Sequence, residues 1–313
     1  MLLYLAVGFL AVCLLIKLYI LFTTAPCMSD ADLTGKTVVI TGATAGIGYE
    51  TAMDLATRNA NIILTARNLE KGNLVKDKII EETGNRKITV KQLNLASLRS
   101  VRRFADEIKA ERIDILINNA GTLEHYWRKT DDGFEMTWGV NFFGPFLLTN
   151  LLLDQLKKSS PSRIVNLTSI AHKWSELRIE DIKRERKVGS QADLEYMASK
   201  LAIVLFTKEL NRKLEGTGVS VFVVHPGTVQ SELFRSYPAW HPVCWILNVI
   251  SFCFFKSAKD GAQTTLHCAV AENLEKHSGE YFDHCKPAMP NKIALDEGLA
   301  KKLWEFTEKE VGL

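Results

Sequence analysis

Tyr196 and Lys200 stand four residues apart in Tyr-Met-Ala-Ser-Lys. On a helix that spacing puts a phenol and an amine on one face. A phenol of pKa ~10 is a poor base near neutrality. A nearby ammonium favours the phenolate and so brings proton transfer within reach. The pair needs a hydroxyl to hold the reacting oxygen, and Thr168-Ser169 supplies two candidates at the end of the apolar run Ile164-Val165-Asn166-Leu167. Neighbouring strand residues face opposite ways, so only one of the two can serve.

A second constellation is Thr41-Gly42-Ala43-Thr44-Ala45-Gly46-Ile47-Gly48, which follows a β-branched run and opens a helical pattern. Glycines there permit a tight turn and close backbone approach, and the helix N-terminus presents N–H groups to a pyrophosphate. Gly42, Thr44, Gly46, Ile47 and Gly48 are therefore expected to bind a dinucleotide. The next run ends in Thr65-Ala66-Arg67-Asn68, without a carboxylate. A carboxylate would accept from a ribose 2′-hydroxyl, whereas the planar fork of Arg67 suits a 2′-phosphate. The cofactor expected is NADP(H), with Arg67 and Asn68 beside its adenosine ribose.

These residues must be positioned by the elements between them. Short β-branched runs cover 36–41, 61–66, 87–93, 112–118, 162–168 and 219–225. Amphipathic stretches separate them; Leu98, Val101, Phe104, Ala105 and Ile108 share one helical face. Strands alternating with helices imply right-handed crossovers. The fold expected is α/β, a Rossmann-like doubly wound parallel sheet in a single domain over 36–313. The polar stretch 170–193 reads as an insertion before a helix beginning near Asp193.

Residues 1–22 carry one charge, Lys17. A helix of that length spans about 33 Å, enough to cross a bilayer core. The run has no basic residue ahead of it and is too long for a signal peptide's apolar core, so an uncleaved membrane anchor is expected, with Lys17 snorkelling to the interface. A linker over 23–35 follows. The uncharged stretch 238–255 holds Trp240, Trp245, Phe252, Phe254 and Phe255. It marks a lipid-facing substrate flap at about 229–256. The formal charge of +3, from 39 Lys+Arg against 36 Asp+Glu, shows no basic stripe of a nucleic-acid binder. Six scattered cysteines without C-x-x-C spacing suggest thiols in a reducing compartment and no metal site. Asn166-Leu167-Thr168, the one N-glycosylation sequon, falls on an expected buried strand, which fits a catalytic domain facing the cytosol.

Taken together, the G-x-x-x-G-x-G loop, Asn118-Asn119-Ala120-Gly121, Val140-Asn141-Phe142-Phe143-Gly144, Tyr196-x-x-x-Lys200 and Pro226-Gly227-Thr228-Val229 resemble the short-chain dehydrogenase/reductase family. Within it the chain looks like the microsomal retinol dehydrogenases, carried by Asp132-Gly133-Phe134-Glu135-Met136, His225-Pro226-Gly227-Thr228-Val229 and Gly261-Ala262-Gln263-Thr264. The resemblance selects Ser169 over Thr168 and implies a catalytic set of Asn141, Ser169, Tyr196 and Lys200, with Asn141 organising a water relay to the lysine. It implies cofactor contacts from Asn94, where the family often has Asp, and from Asn118, Ala120, Gly121, Tyr196, Lys200, Pro226, Gly227 and Val229. It implies hydride transfer between a nicotinamide cofactor and a retinoid alcohol or aldehyde at the endoplasmic reticulum membrane. A steroid or other lipid carbonyl is the alternative substrate. A non-catalytic lipid-associated scaffold is disfavoured by the complete catalytic set.

Overall fold

The computed structural model describes residues 24–124, 126–183, 192–229 and 255–313, together with Tyr4, Val12, Cys13, Leu15 and Lys17. Most of the expected anchor and the flap residues 230–254 lie outside these. The strands are β1 (Thr37–Ile40), β2 (Asn61–Ala66), β3 (Ile88–Gln92), β4 (Ile115–Asn118), β5 (Ser162–Leu167), β6 (Val219–His225), β7 (Tyr281–Asp283) and β8 (Lys286–Ala288). They form one sheet in the order β3-β2-β1-β4-β5-β6-β7-β8. All pairings are parallel except β7 with β8. The chain leaves β1 toward β3 and then crosses back to β4 on the other side of β1. Such a reversal opens a crevice beyond the carboxyl ends of the strands.

The six runs marked by the sequence are strands. β7 and β8 are additions at the edge, each three residues long. Their two-residue turn places His284 and Cys285 at φ 51° and 58°. That mirror-image turn is ordinarily announced by Asn-Gly or Asp-Gly, and this one is not.

The helices are α1 (Gly46–Thr57), α2 (Leu69–Thr83), α3 (Leu98–Glu107), α4 (Met136–Lys158), α5 (Ala192–Lys213), α6 (Ala258–Val270) and α7 (Glu297–Val311). Alternation along β1 sorts the core into two layers. Val38 and Ile40 pack with Leu55 of α1, Ile79 of α2 and Leu266 of α6. Val39 packs with Phe104 of α3, Phe146 of α4, Leu205 of α5 and Trp304 of α7. Helix starts are fixed by side chains: Asn68, Ser97, Ser257 and Asp296 each accept a first-turn N–H. Among the described residues α4 is the one helix long and apolar enough to cross a membrane, but most of it is buried against the sheet, as a core helix should be.

The described positions between Tyr4 and Lys17 are helical. The Lys17 ammonium donates to the Phe255 carbonyl at 3.0 Å. Residues 24–32 are docked on the domain: Cys27 N–H donates to Gln263 Oε1 at 2.9 Å, Ser29 Oγ to Val270 O at 3.2 Å, and Arg58 Nη1 to Ser29 O at 2.6 Å. Cys27, Cys268 and Cys285 are free thiols. The sequon residue Asn166 is buried and donates to Thr207 Oγ1 at 3.0 Å, so the folded domain has no room for a glycan there.

Candidate active site

A cavity of about 450 Å³ opens at the carboxyl ends of β1, β4, β5 and β6. Gly42, Thr44, Gly46, Ile47 and Gly48 line one side. Gly46 adopts φ 55° with nothing within 4 Å of where a Cβ would stand, so its backbone is open to the cleft. A Cβ on Gly48 would collide with Asn119 Nδ2 and the Gly42 carbonyl. Helix α1 has no side-chain cap at Ala45, which leaves its first-turn N–H groups free to meet an anion. That uncapped terminus fits a dinucleotide pyrophosphate. The loop is stitched to the turn after β4: Asn119 and Ala120 N–H both donate to Thr41 Oγ1 at 3.0 Å, and Asn119 Nδ2 donates to Thr41 O at 2.8 Å. Thr41 and Asn119 are not singled out as binding residues by the motif spacing. Both carry donors and sit in the quoted motifs, but their role is to join two loops, which motif spacing does not reveal.

Arg67 and Asn94 line the far end of the cleft, and Ala120, Gly121, Pro226, Gly227 and Val229 line its middle and near end. Two expected contacts face elsewhere. Asn68 caps α2, accepting the Lys71 N–H at 3.0 Å, and does not line the cavity. Asn118 turns its amide into the core, donating to Thr149 Oγ1 at 2.9 Å and Asn166 Oδ1 at 2.8 Å. The next residue, Asn119, lines the cleft instead.

Ser169, Tyr196 and Lys200 meet at the near end. The Thr168 hydroxyl is engaged elsewhere, donating to the Lys200 carbonyl at 2.6 Å. The Ser169 hydroxyl stands close enough to the Tyr196 phenol to favour its ionised form, and its Oγ accepts the Ala171 N–H at 3.3 Å. The Lys200 ammonium lies 5.6 Å from the centre of the Tyr196 ring and donates to Leu167 O at 3.2 Å. Burial pushes the phenol up to about 12, with the Ser169 hydroxyl pulling the other way. Burial pushes Lys200 down to about 8. In the polypeptide alone, then, desolvation dominates and Tyr196 holds its proton at neutrality.

Asn141 sits behind this group in a widened π turn, Gly139–Phe143, within α4. Such turns often mark functional positions. Its Oδ1 accepts the Thr122 N–H at 2.8 Å, and its Nδ2 donates to Thr122 O at 3.0 Å and Ser199 Oγ at 3.1 Å. It thereby ties α4, the loop after Gly121, and the helix of Tyr196 together. A second tie lies nearby: Trp138 Nε1 donates to the buried Glu195 at 2.6 Å.

A sequence model of the short chain dehydrogenase family matches residues 36–179 and 184–242. The chain belongs to that family. It is 44% identical to human retinol dehydrogenase 11 (Homo sapiens) over 96% of this chain and 96% of that protein. It is 46% identical to human retinol dehydrogenase 13 over 96% and 91%. Among solved structures, an uncharacterized protein from Mycobacterium Paratuberculosis superposes with a TM-score of 0.72 at 32% identity, covering 90% of this chain and 95% of that one. A short chain dehydrogenase from Pseudomonas syringae, at 23% identity and a TM-score of 0.65, shares the fold over 83% and 98%.

Proposed function

We propose that this short-chain dehydrogenase is a membrane-anchored oxidoreductase that transfers a hydride between NADP(H) and a retinoid alcohol or aldehyde. The observation that carries the reading is Ser169, Tyr196 and a buried Lys200 brought together at the near end of a dinucleotide-sized cleft. The substrate class rests on the retinol dehydrogenases that match over nearly their whole length.

NADPH held along the cleft would supply the hydride. In the reduction direction Ser169 Oγ donates a hydrogen bond to the carbonyl oxygen and orients it. The Tyr196 phenol, protonated at neutrality, delivers its proton to that oxygen as negative charge develops. The Lys200 ammonium then stabilises the phenolate left behind. In alcohol oxidation the same groups act in reverse. Asn141 acts through Thr122 and Ser199, holding the cofactor-side loop and α5 in register.

NADP(H) is favoured over NAD(H) by the tip of β2. Arg67 lines the cleft, its guanidinium has no hydrogen-bond partner among the described residues, and the strand tip Thr65-Ala66-Arg67-Asn68 carries no carboxylate to repel a 2′-phosphate. In a cytosol where NADPH exceeds NADP, that preference biases the enzyme toward retinal reduction. The anchor over 1–22 would hold the domain at the endoplasmic reticulum membrane, facing the cytosol. The Lys17–Phe255 bond joins the expected anchor to a cleft-lining residue at the end of the expected apolar flap. A panel of retinoid, steroid and short aldehydes assayed with purified enzyme and both cofactors tests the reading. Retinal with NADPH should give the highest kcat/KM, and a steroid substrate ahead of it would replace the assignment.

A further inference from the structure

Ser169 works only if its Oγ is aimed at Tyr196, and nothing in β5 fixes that aim, because the strand ends at Leu167 and the chain bends at once into the 3-10 turn Ile170–Trp174. The peptide unit joining Ser169 to Ile170 is gripped on both sides by imidazoles from different parts of the chain. On one side His172 Nδ1 lies 2.6 Å from the Ser169 carbonyl oxygen. The Nε2 of the same ring accepts the Asn291 N–H at 3.2 Å, so a neutral ring carries its proton on Nδ1 and donates it to Ser169 O. On the other side His225 Nδ1, at the end of β6, accepts the Ile170 N–H at 3.2 Å, so its proton is on Nε2. His172 is fully buried and does not line the cleft. Asn291 fixes its turn further, donating from Nδ2 to the His172, Lys173 and Ser175 carbonyls.

We propose that His172 and His225 are positioning residues that clamp the Ser169–Ile170 peptide and thereby aim Ser169 Oγ at Tyr196 and the reacting oxygen. His172 makes both of its contacts, and His225 its one, only when neutral. A proton on His172 would set N–H against the Asn291 N–H, and one on His225 would set N–H against the Ile170 N–H. The surroundings keep them neutral. Burial pushes His225 down to about 4; the Asp283 carboxylate opposes this, while His172, His284 and Lys256 add to it. Burial lowers His172 as well, with Lys173 adding to it and the Ser169 carbonyl opposing; the Tyr281 ring packs 5.0 Å away. The clamp is therefore closed throughout the neutral range.

This inference rests on the proposed catalytic role of Ser169, so Ser169→Ala is assayed alongside. Four further variants separate aim from packing. His172→Asn keeps a donor where Nδ1 stands, and His225→Asn keeps an acceptor there; His172→Phe and His225→Leu remove them. The readouts are the single-turnover hydride-transfer rate at saturating NADPH and retinal, and NADPH affinity by fluorescence. The Phe and Leu variants should lose roughly 10-fold or more in rate, the worth of one hydrogen bond, with NADPH affinity within about threefold of wild type. Each Asn variant should recover most of the loss. Wild-type rates in both His172→Phe and His225→Leu, with Ser169→Ala inactive, would overturn the clamp while leaving the catalytic reading intact. An active Ser169→Ala would overturn both. Should the Phe and Leu variants fail to fold, an Asn variant slowed as severely as Ser169→Ala overturns the clamp, and Asn variants near wild type support it.

Discussion

Replacing Lys200 with Met removes the ammonium that lies over the Tyr196 ring. The ammonium lies 5.6 Å from the ring centre; at an effective dielectric of about 20, a unit charge roughly that far from a phenolate interacts by ~3 kcal/mol, or roughly a hundredfold in phenol ionisation. Burial has pushed that phenol up to about 12, so the enzyme depends on the ammonium to make the phenolate accessible. Lys200→Met should therefore slow single-turnover hydride transfer by about a hundredfold, measured at saturating cofactor so that any loss of ribose contact is separated from chemistry. The pH profile gives a second readout. Lys200 is held down to about 8, so its ammonium is present below that pH and is lost as pH rises through it. The wild-type profile should carry an inflection there that the variant lacks. A Lys200→Met enzyme within about threefold of wild type, with the inflection intact, would refute the electrostatic argument.

Arg67→Ala should reduce kcat/KM for NADPH by roughly 10- to 150-fold, the worth of a charge-assisted phosphate contact, and leave NADH nearly unchanged; equal losses with both cofactors would remove Arg67 from the 2′-phosphate. Gly48→Ala drives a Cβ into Asn119 Nδ2 and the Gly42 carbonyl, neither of which has slack. It should cost about 1–3 kcal/mol in denaturant unfolding and weaken NADPH binding at least ~10-fold, read by titration calorimetry; an unaltered affinity would show that the cradle is not where the cofactor binds. Asp114 is buried and, although desolvation works against it, hydrogen bonds from Arg112, the Thr37 N–H and Lys36 hold its carboxyl below the usual range. Its contribution is present above the unfolded carboxylate pKa of ~3.9 and disappears as pH falls through the lower folded value. Asp114→Asn should cost about 2 kcal/mol at neutral pH and flatten the acid limb of the stability curve, and a neutral-pH stability equal to wild type would contradict the assignment.

The parts of this fold that a sequence can announce are those where one local pattern has one outcome. Continuous β-branched runs such as 219–225 had to be buried strands, and the glycine loop had to be a turn into a helix. β7 and β8 carried no such pattern, since three residues do not establish a period and the turn residues His284 and Cys285 adopt a conformation they rarely take. At the site, the spacing of Tyr196 and Lys200 was legible because a helix converts it directly into proximity. The choice between Thr168 and Ser169 needed a family resemblance, and the physical reason is a tertiary contact, the Thr168 hydroxyl on the Lys200 carbonyl. The side chains of Asn68 and Asn118 turn away from the cleft for a related reason: an amide beside a cleft is equally suited to a helix cap or a buried network, and burial decides which. His172 and His225 are 53 positions apart in the chain. Nothing short of the fold shows that they hold the same peptide.

The central claim is that Tyr196 delivers a proton to a retinoid carbonyl while NADPH provides the hydride. Its most direct test is NADPH consumption by the purified full-length chain in lipid vesicles containing retinal, compared with Tyr196→Phe. The account predicts stoichiometric retinol formation by the wild type, and a Tyr196→Phe variant that binds NADPH normally but forms no retinol above background. Retinol formation by Tyr196→Phe at the wild-type rate, or none by the wild type with either cofactor, would contradict it.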